Sequence, residues 1–156
     1  EDLGVITNDV NILRQNFELP GMKILQFAFD GNEENPYLPK NIKGKNWVVY
    51  TGTHDNSTST SWWDSLDANL KTKIKQDYNF SDDPCWNLIE IGMNTTANLF
   101  ITPIQDLLSL DDSCRLNKPG TTKNNWKWKL NKPLEEIDSN LKKYSDLGKI
   151  HGRKTY

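Results

Sequence analysis

The chain has 156 residues, of which 35% are hydrophobic and 26% charged, with six Trp, five Tyr and five Phe. That aromatic content excludes a disordered chain, and no apolar run approaches the ~20 residues needed to span a bilayer. The formal net charge of −2 supplies no general attraction to nucleic acid or anionic lipid. It is unevenly spread, because residues 1–114 carry 8 basic against 17 acidic side chains and residues 115–156 carry 11 against 4.

Thr7 is positioned to cap a helix over residues 8–17, with Val10, Leu13 and Phe17 recurring on one face. Pro20-Gly21 ends it, and the apolar run 22–29 reads as a buried strand closed by Asp30-Gly31. Residues 33–45 are polar and rich in Pro, Asn and Gly, which predicts a loop. Residues 47–51 (WVVYT) form a second expected strand that runs directly into Gly52-Thr53-His54-Asp55-Asn56.

Helices are expected over 58–66 and 68–77, and a third starts at Asp83-Pro84 and carries Trp86, Ile89 and Met93 on one side. A third strand is expected over 99–104, with a helical turn over 105–110 and a loop over 113–125. A closing helix is expected over 133–144, followed by a frayed basic tail that contains His151. Strands that alternate with helices and are apolar rather than alternating predict an α/β fold with a parallel sheet. Three strands are too few to close such a core, so the chain reads as the second half of a larger unit. Its opening on Glu1, without an initiator Met, agrees with that expectation.

In parallel α/β proteins reactive groups gather at the C-terminal ends of strands. Three places qualify: Glu1-Asp2, His54-Asp55-Asn56, and Pro103-Ile104-Gln105-Asp106. Two histidines are too few for a His-based zinc site, and no serine or cysteine sits in an elbow such as GxSxG, so no metal and no nucleophilic triad is expected. Paired carboxylates among Asn, Gln, His and aromatic rings are the inventory of a sugar site. A plainer reading stays open beside it: a turn with Asn56 as helix cap, and Trp62-Trp63 as core. The basic segment around Trp126 and Trp128 reads either as a nucleic-acid surface or as a packed Trp pair with a solvated lysine face. Cys85 and Cys114 lie 29 positions apart, outside any CxxC spacing, and no signal-peptide pattern is present. The expected compartment is therefore the reducing cytoplasm.

Taken together and in order, Glu1-Asp2-Leu3-Gly4, Leu19-Pro20-Gly21-Met22-Lys23, Gln26-Phe27-Ala28-Phe29 and Asn35-Pro36-Tyr37-Leu38-Pro39 resemble motifs of the 4-α-glucanotransferase (amylomaltase) family. So do Tyr50-Thr51-Gly52-Thr53-His54-Asp55-Asn56, Trp62-Trp63, Pro103-Ile104-Gln105-Asp106, Arg115-Leu116-Asn117-Lys118-Pro119-Gly120-Thr121 and Asn125-Trp126-Lys127-Trp128.

The resemblance implies a (β/α)8 TIM barrel that acts without a cofactor. Such an enzyme moves part of an α-1,4-glucan (maltodextrin) donor to the 4-hydroxyl of glucose or a maltooligosaccharide by a retaining double displacement. It implies Glu1 as general acid/base, Asp55 as transition-state stabiliser, His54 as a ligand of sugar hydroxyls and Asn125 as a further sugar contact. The family's nucleophilic aspartate lies upstream of the EDLG motif. Residues 1–156 are accordingly expected to be the C-terminal portion of the catalytic barrel and to be inactive alone. The alternative from another class is a non-catalytic α-glucan-binding module. A nucleic-acid-binding module built on the basic tail is a third.

Overall fold

The computed structural model describes residues 3–4 and 6–153. Glu1, the expected acid/base, lies outside the described residues. Helix α1 (Asn8–Asn16) leads into β1 (Gly21–Ile24), and β2 (Trp47–Tyr50) follows the long polar loop. Then come α2 (Ser59–Ser65), α3 (Ala68–Tyr78), α4 (Pro84–Met93), β3 (Leu99–Ile101), the short α5 (Ile104–Leu107) and α6 (Asp138–Ile150). The strands form one parallel sheet in the order β1-β2-β3, with Gly21 opposite Trp47 and Val48 opposite Leu99. This is the α/β arrangement with a parallel sheet that the spacing of apolar runs predicts.

The register sorts the side chains onto two faces. Val49 and Phe100 lie side by side on one face and are buried with Leu88, Ile89, Met93 and Leu107. Helix α4 supplies most of that contact, burying Cys85, Trp86, Leu88, Ile89, Gly92 and Met93. The helix starts where it does because Asp83 accepts the Trp86 N–H at 3.2 Å and Pro84 occupies the first turn. On the other face, Met22, Val48, Tyr50 and Ile101 line a cavity at the C-terminal end of the sheet.

Besides the third strand, which ends at Ile101 rather than 104, three expectations change. The first strand stops at Ile24, and Leu25–Phe27 turn into a 3-10 helix because the Gln26 amide is held by the Ser57 carbonyl and the Ser59 hydroxyl. Helix α1 has the anticipated apolar spacing, yet none of its residues is buried, and Leu13 and Phe17 are 56% and 69% exposed.

The tail is the third. The closing helix runs to Ile150 rather than fraying after 144, and Arg153 is anchored. Its guanidinium donates to the carbonyls of Gly92, Met93, Thr95 and Ala97, satisfying acceptors at the end of α4 and in the turn after it. The isolated sequence shows a basic tail; only the fold shows the carbonyl cluster that fixes it.

Candidate active site

Because all three strands run the same way, the segments that leave them converge on one rim. There they enclose a cavity of about 680 Å³ lined by the Gly52–Thr58 loop, Gln105, Asp106, Arg115 and Leu116. Leu3, from the first motif, lines it too. The loop after β2 is tightened from within: Asn56 Oδ1 accepts the Thr53 N–H at 2.9 Å and the Thr53 hydroxyl at 2.7 Å. Asn56 therefore closes the turn instead of capping the helix. Thr58 is the cap of α2, its hydroxyl accepting the Ser61 N–H.

The 115–117 segment, about 60 residues further along the chain, holds this loop from outside. Arg115 Nη2 donates to the Asp55 carbonyl at 2.6 Å, its Nη1 to Ser57 Oγ at 3.1 Å and its Nε to the Asn117 carbonyl at 2.8 Å. Asn117 Nδ2 donates to Asp55 Oδ1 at 2.5 Å, and the Asn117 N–H donates to the His54 carbonyl at 3.1 Å. His54 Nε2 stands 3.3 Å from the same Asp55 oxygen. The His54 and Asp55 side chains remain about half exposed, at 47% and 46%. An imidazole and a carboxylate are thus fixed side by side at the mouth of a cavity, both still open to a ligand.

The ring of Trp126 lies 5.0 Å from that of His54, tilted by 39°, and is 62% exposed. Its φ of +60° is uncommon for a bulky residue, and its N–H donates to the Leu116 carbonyl at 2.6 Å. Trp126 accordingly packs on the candidate site. Asn125 uses its side chain inside its own loop, accepting from the Lys118 N–H and donating to the Thr121 carbonyl. Its evident task is to close residues 118–125 and deliver Trp126 to His54. Trp62 and Trp63 pack against the core with Phe29 and Phe80, as the plainer reading expects.

Asp106 lies beneath the rim at 1% exposure. Burial pushes its carboxyl above the ordinary value, against hydrogen bonds from Thr51 and Ser59 that pull it down. Among the described residues no group of three His, Cys, Asp or Glu is arranged to hold a metal ion.

His54 and Asp55 lie at a strand end as the sequence predicts; Arg115 and Asn117 carry tasks the sequence does not assign, and Trp126, expected in a packed Trp pair or a nucleic-acid surface, packs on His54 instead. The RLNKPGT and NWKW segments were the available signal.

Comparison with known proteins places these features in a family. A family model described as 4-alpha-glucanotransferase matches residues 1–135. The chain is 42% identical to the chloroplastic/amyloplastic 4-alpha-glucanotransferase of Arabidopsis thaliana, over 98% of this chain and 27% of that protein. It is 41% identical to the 4-alpha-glucanotransferase of a Synechocystis strain, over 100% of this chain and 31% of that protein. Among solved structures it resembles the amylomaltase from Streptococcus agalactiae in complex with acarbose, with TM-score 0.91 and 27% identity, covering 99% of this chain and 32% of that one. The amylomaltase of Corynebacterium glutamicum shares the fold, with TM-score 0.67 at 14% identity, over 99% of this chain and 28% of that one. The chain thus spans about a third or less of the length of these relatives.

Proposed function

The chain belongs to the 4-alpha-glucanotransferase family, and from that premise we propose that it forms part of an enzyme that disproportionates α-1,4-glucans. A maltodextrin donor is cleaved with retention, and the glycosyl group passes to the 4-hydroxyl of glucose or a maltooligosaccharide. Asp55 stabilises the oxocarbenium-like transition state, and His54 binds a hydroxyl of the same sugar. Glu1 acts as acid/base by the motif resemblance, and Asn125, through its loop, shapes the sugar-binding rim.

A retaining mechanism needs a nucleophile about 5–5.5 Å from the acid/base. In the family that the motifs resemble, the nucleophilic aspartate lies upstream of the EDLG motif, so in this reading it is supplied from outside these 156 residues. Residues 1–156 alone release no glucose from maltotriose under this reading, and measurable turnover by the purified piece would contradict it. No cofactor takes part in the reaction, and neither nucleic acid nor membrane is a partner. The two free cysteines support a reducing compartment, which for this protein we take to be the cytoplasm.

The observation that carries the proposal is the fixing of Asp55 and His54 at the cavity mouth by Arg115 and Asn117. Groups held before the substrate arrives cost no reorganisation in the transition state. The test is Asp55→Asn in the complete protein with maltotriose as substrate. Release of glucose and longer maltodextrins is expected to slow roughly 100- to 1,000-fold, with folding unchanged. A product ladder formed at the unaltered rate would remove Asp55 from the mechanism. The exposed Trp126 ring also suits a module that only binds glucan. Retention of maltodextrin by the complete protein with no glucose released would select that reading.

A further inference from the structure

One buried carboxylate ties together the ends of all three strands. Asp106, in α5 after β3, accepts the Ser59 N–H on Oδ1 at 2.8 Å. Its Oδ2 accepts the Ser59 hydroxyl at 2.7 Å and the Thr51 hydroxyl at 2.5 Å. Thr51 stands directly after β2, and Ser59 is the first residue of α2. Gln26, just past β1, donates Nε2 to Ser59 Oγ at 3.3 Å. Thr102, just past β3, lies 3.2 Å from Thr51 Oγ1. Since Thr51 gives its proton to the carboxylate, Thr102 is the donor in that pair. The close approach depends on Gly52, where a Cβ would come within 2.7 Å of Gln26 Nε2.

A carboxylate at 1% exposure, with no cation among its hydrogen-bond partners in the described residues, is a costly way to hold a fold together. Its placement matters more than its stabilising value. Thr51 and Ser59 bracket the segment that carries His54 and Asp55, so Asp106 grips that loop at both roots while Arg115 and Asn117 grip its tip.

We propose that Asp106 is a positioning residue for the transfer reaction, acting through Thr51 and Ser59 to hold Asp55 where the transition state needs it. This rests on the reading of Asp55 given above. Asp106 acts at a distance, because its own oxygens are occupied by Ser59 and Thr51. Displacement of Asp55 by about an ångström removes interactions realised mainly in the transition state, so the loss falls on kcat and not on KM.

The test is a double-mutant cycle in the complete protein, read as kcat and KM for maltotriose disproportionation per folded molecule. Asp106→Ala is expected to lower kcat about 100-fold with KM within about threefold. Asp106→Asn is expected to recover kcat to within about tenfold of the parent, since its amide oxygen still accepts the Ser59 N–H and its NH2 faces the two hydroxyls. In an Asp55→Asn background the Ala substitution is expected to cost less than about tenfold more, because the group it positions is already disabled.

An equal cost in both backgrounds would show that Asp106 does not act through Asp55, and would overturn the proposal. So would an Asp106→Ala protein with parental kcat in its folded fraction. Should that variant fail to fold, Thr51→Val, which removes one donor and keeps the shape, carries the same expectation of a kcat loss that vanishes beside Asp55→Asn. An unaltered rate for Asp55→Asn alone would instead refute the assignment of Asp55, a distinguishable failure.

Discussion

Arg115 occupies four acceptors that belong to four different residues, and a planar fork of donors reaches all of them: the Asp55 carbonyl, Ser57 Oγ, the Asn117 carbonyl and Asp112 Oδ2. A lysine ammonium is a single point charge on a flexible stem. Arg115→Lys in the complete protein is therefore expected to keep the fold and lower kcat by about 10- to 100-fold, in line with the loss of one or two charge-assisted hydrogen bonds. Steady-state kinetics on maltotriose would check this, and a parental kcat would deny Arg115 its hold on the loop. At this scale the sequence is half legible. Asp55 and His54 could be read because they follow a strand of recognisable composition. Arg115 and Asn117 could not, because their partners lie about 60 positions away and meet them only when β2 and the 115–117 segment converge. Asn56 misleads for a local reason: an Asn beside a helix start reads as a cap, but its Oδ1 is taken by Thr53.

Among the elements, the contact between α4 and β3 has the least spare room. A Cβ on Gly92 would collide with the Phe100 ring, which lies under the helix in the core. Gly92→Ala gains helix propensity of about 1 kcal/mol, yet the overpacking costs about 1–3 kcal/mol, so the balance falls on the destabilising side. A lower thermal midpoint is expected, with part of the loss restored when Phe100→Leu is added. Calorimetry of the two single variants and the pair would decide it, and a midpoint raised by Gly92→Ala alone would contradict the packing described. Helix α4 itself was readable from Pro84 and its apolar face. The extension of α6 and the clasp at Arg153 were not, because a lysine-rich helix end looks solvated until the α4 carbonyls are seen to face it. The end of the first strand is illegible for a related reason: MKILQFAF is almost wholly apolar, and periodicity cannot show that the Gln26 side chain is held by Ser57 and Ser59 where the chain turns into a 3-10 helix.

For the molecule as a whole, α1 presents Val10, Ile12 and Leu13 to solvent, as does Phe17 at its C-terminal end, and β1 and β3 each pair on one side only among the described residues. On the cavity face Leu99 and Ile101 are also open, at 49% and 39% exposure. Unpaired strand edges beside apolar side chains promote association. Residues 1–156 expressed alone are therefore expected to self-associate at micromolar concentration, as light scattering coupled to size exclusion would show. A stable, monodisperse monomer would mean that these surfaces are covered in a way the present arrangement does not provide. The α/β class and the parallel sheet were legible from three apolar runs separated by helices. Which faces stay open was not, because the same spacing that predicts an amphipathic helix says nothing about whether a partner lies against it.

The parallel register also sets a sequence of events in time. Pairing β1 with β2 joins residues 21 and 47, whereas pairing β2 with β3 joins residues 48 and 99, about twice as far along the chain. Contacts that close shorter loops cost less entropy and form sooner. The Asp106 network draws on the ends of all three strands at once, so it is completed only after the slower pairing is made. The loop bearing His54 and Asp55 consequently takes its working shape only once β3 has joined the sheet, and loses it when β3 leaves.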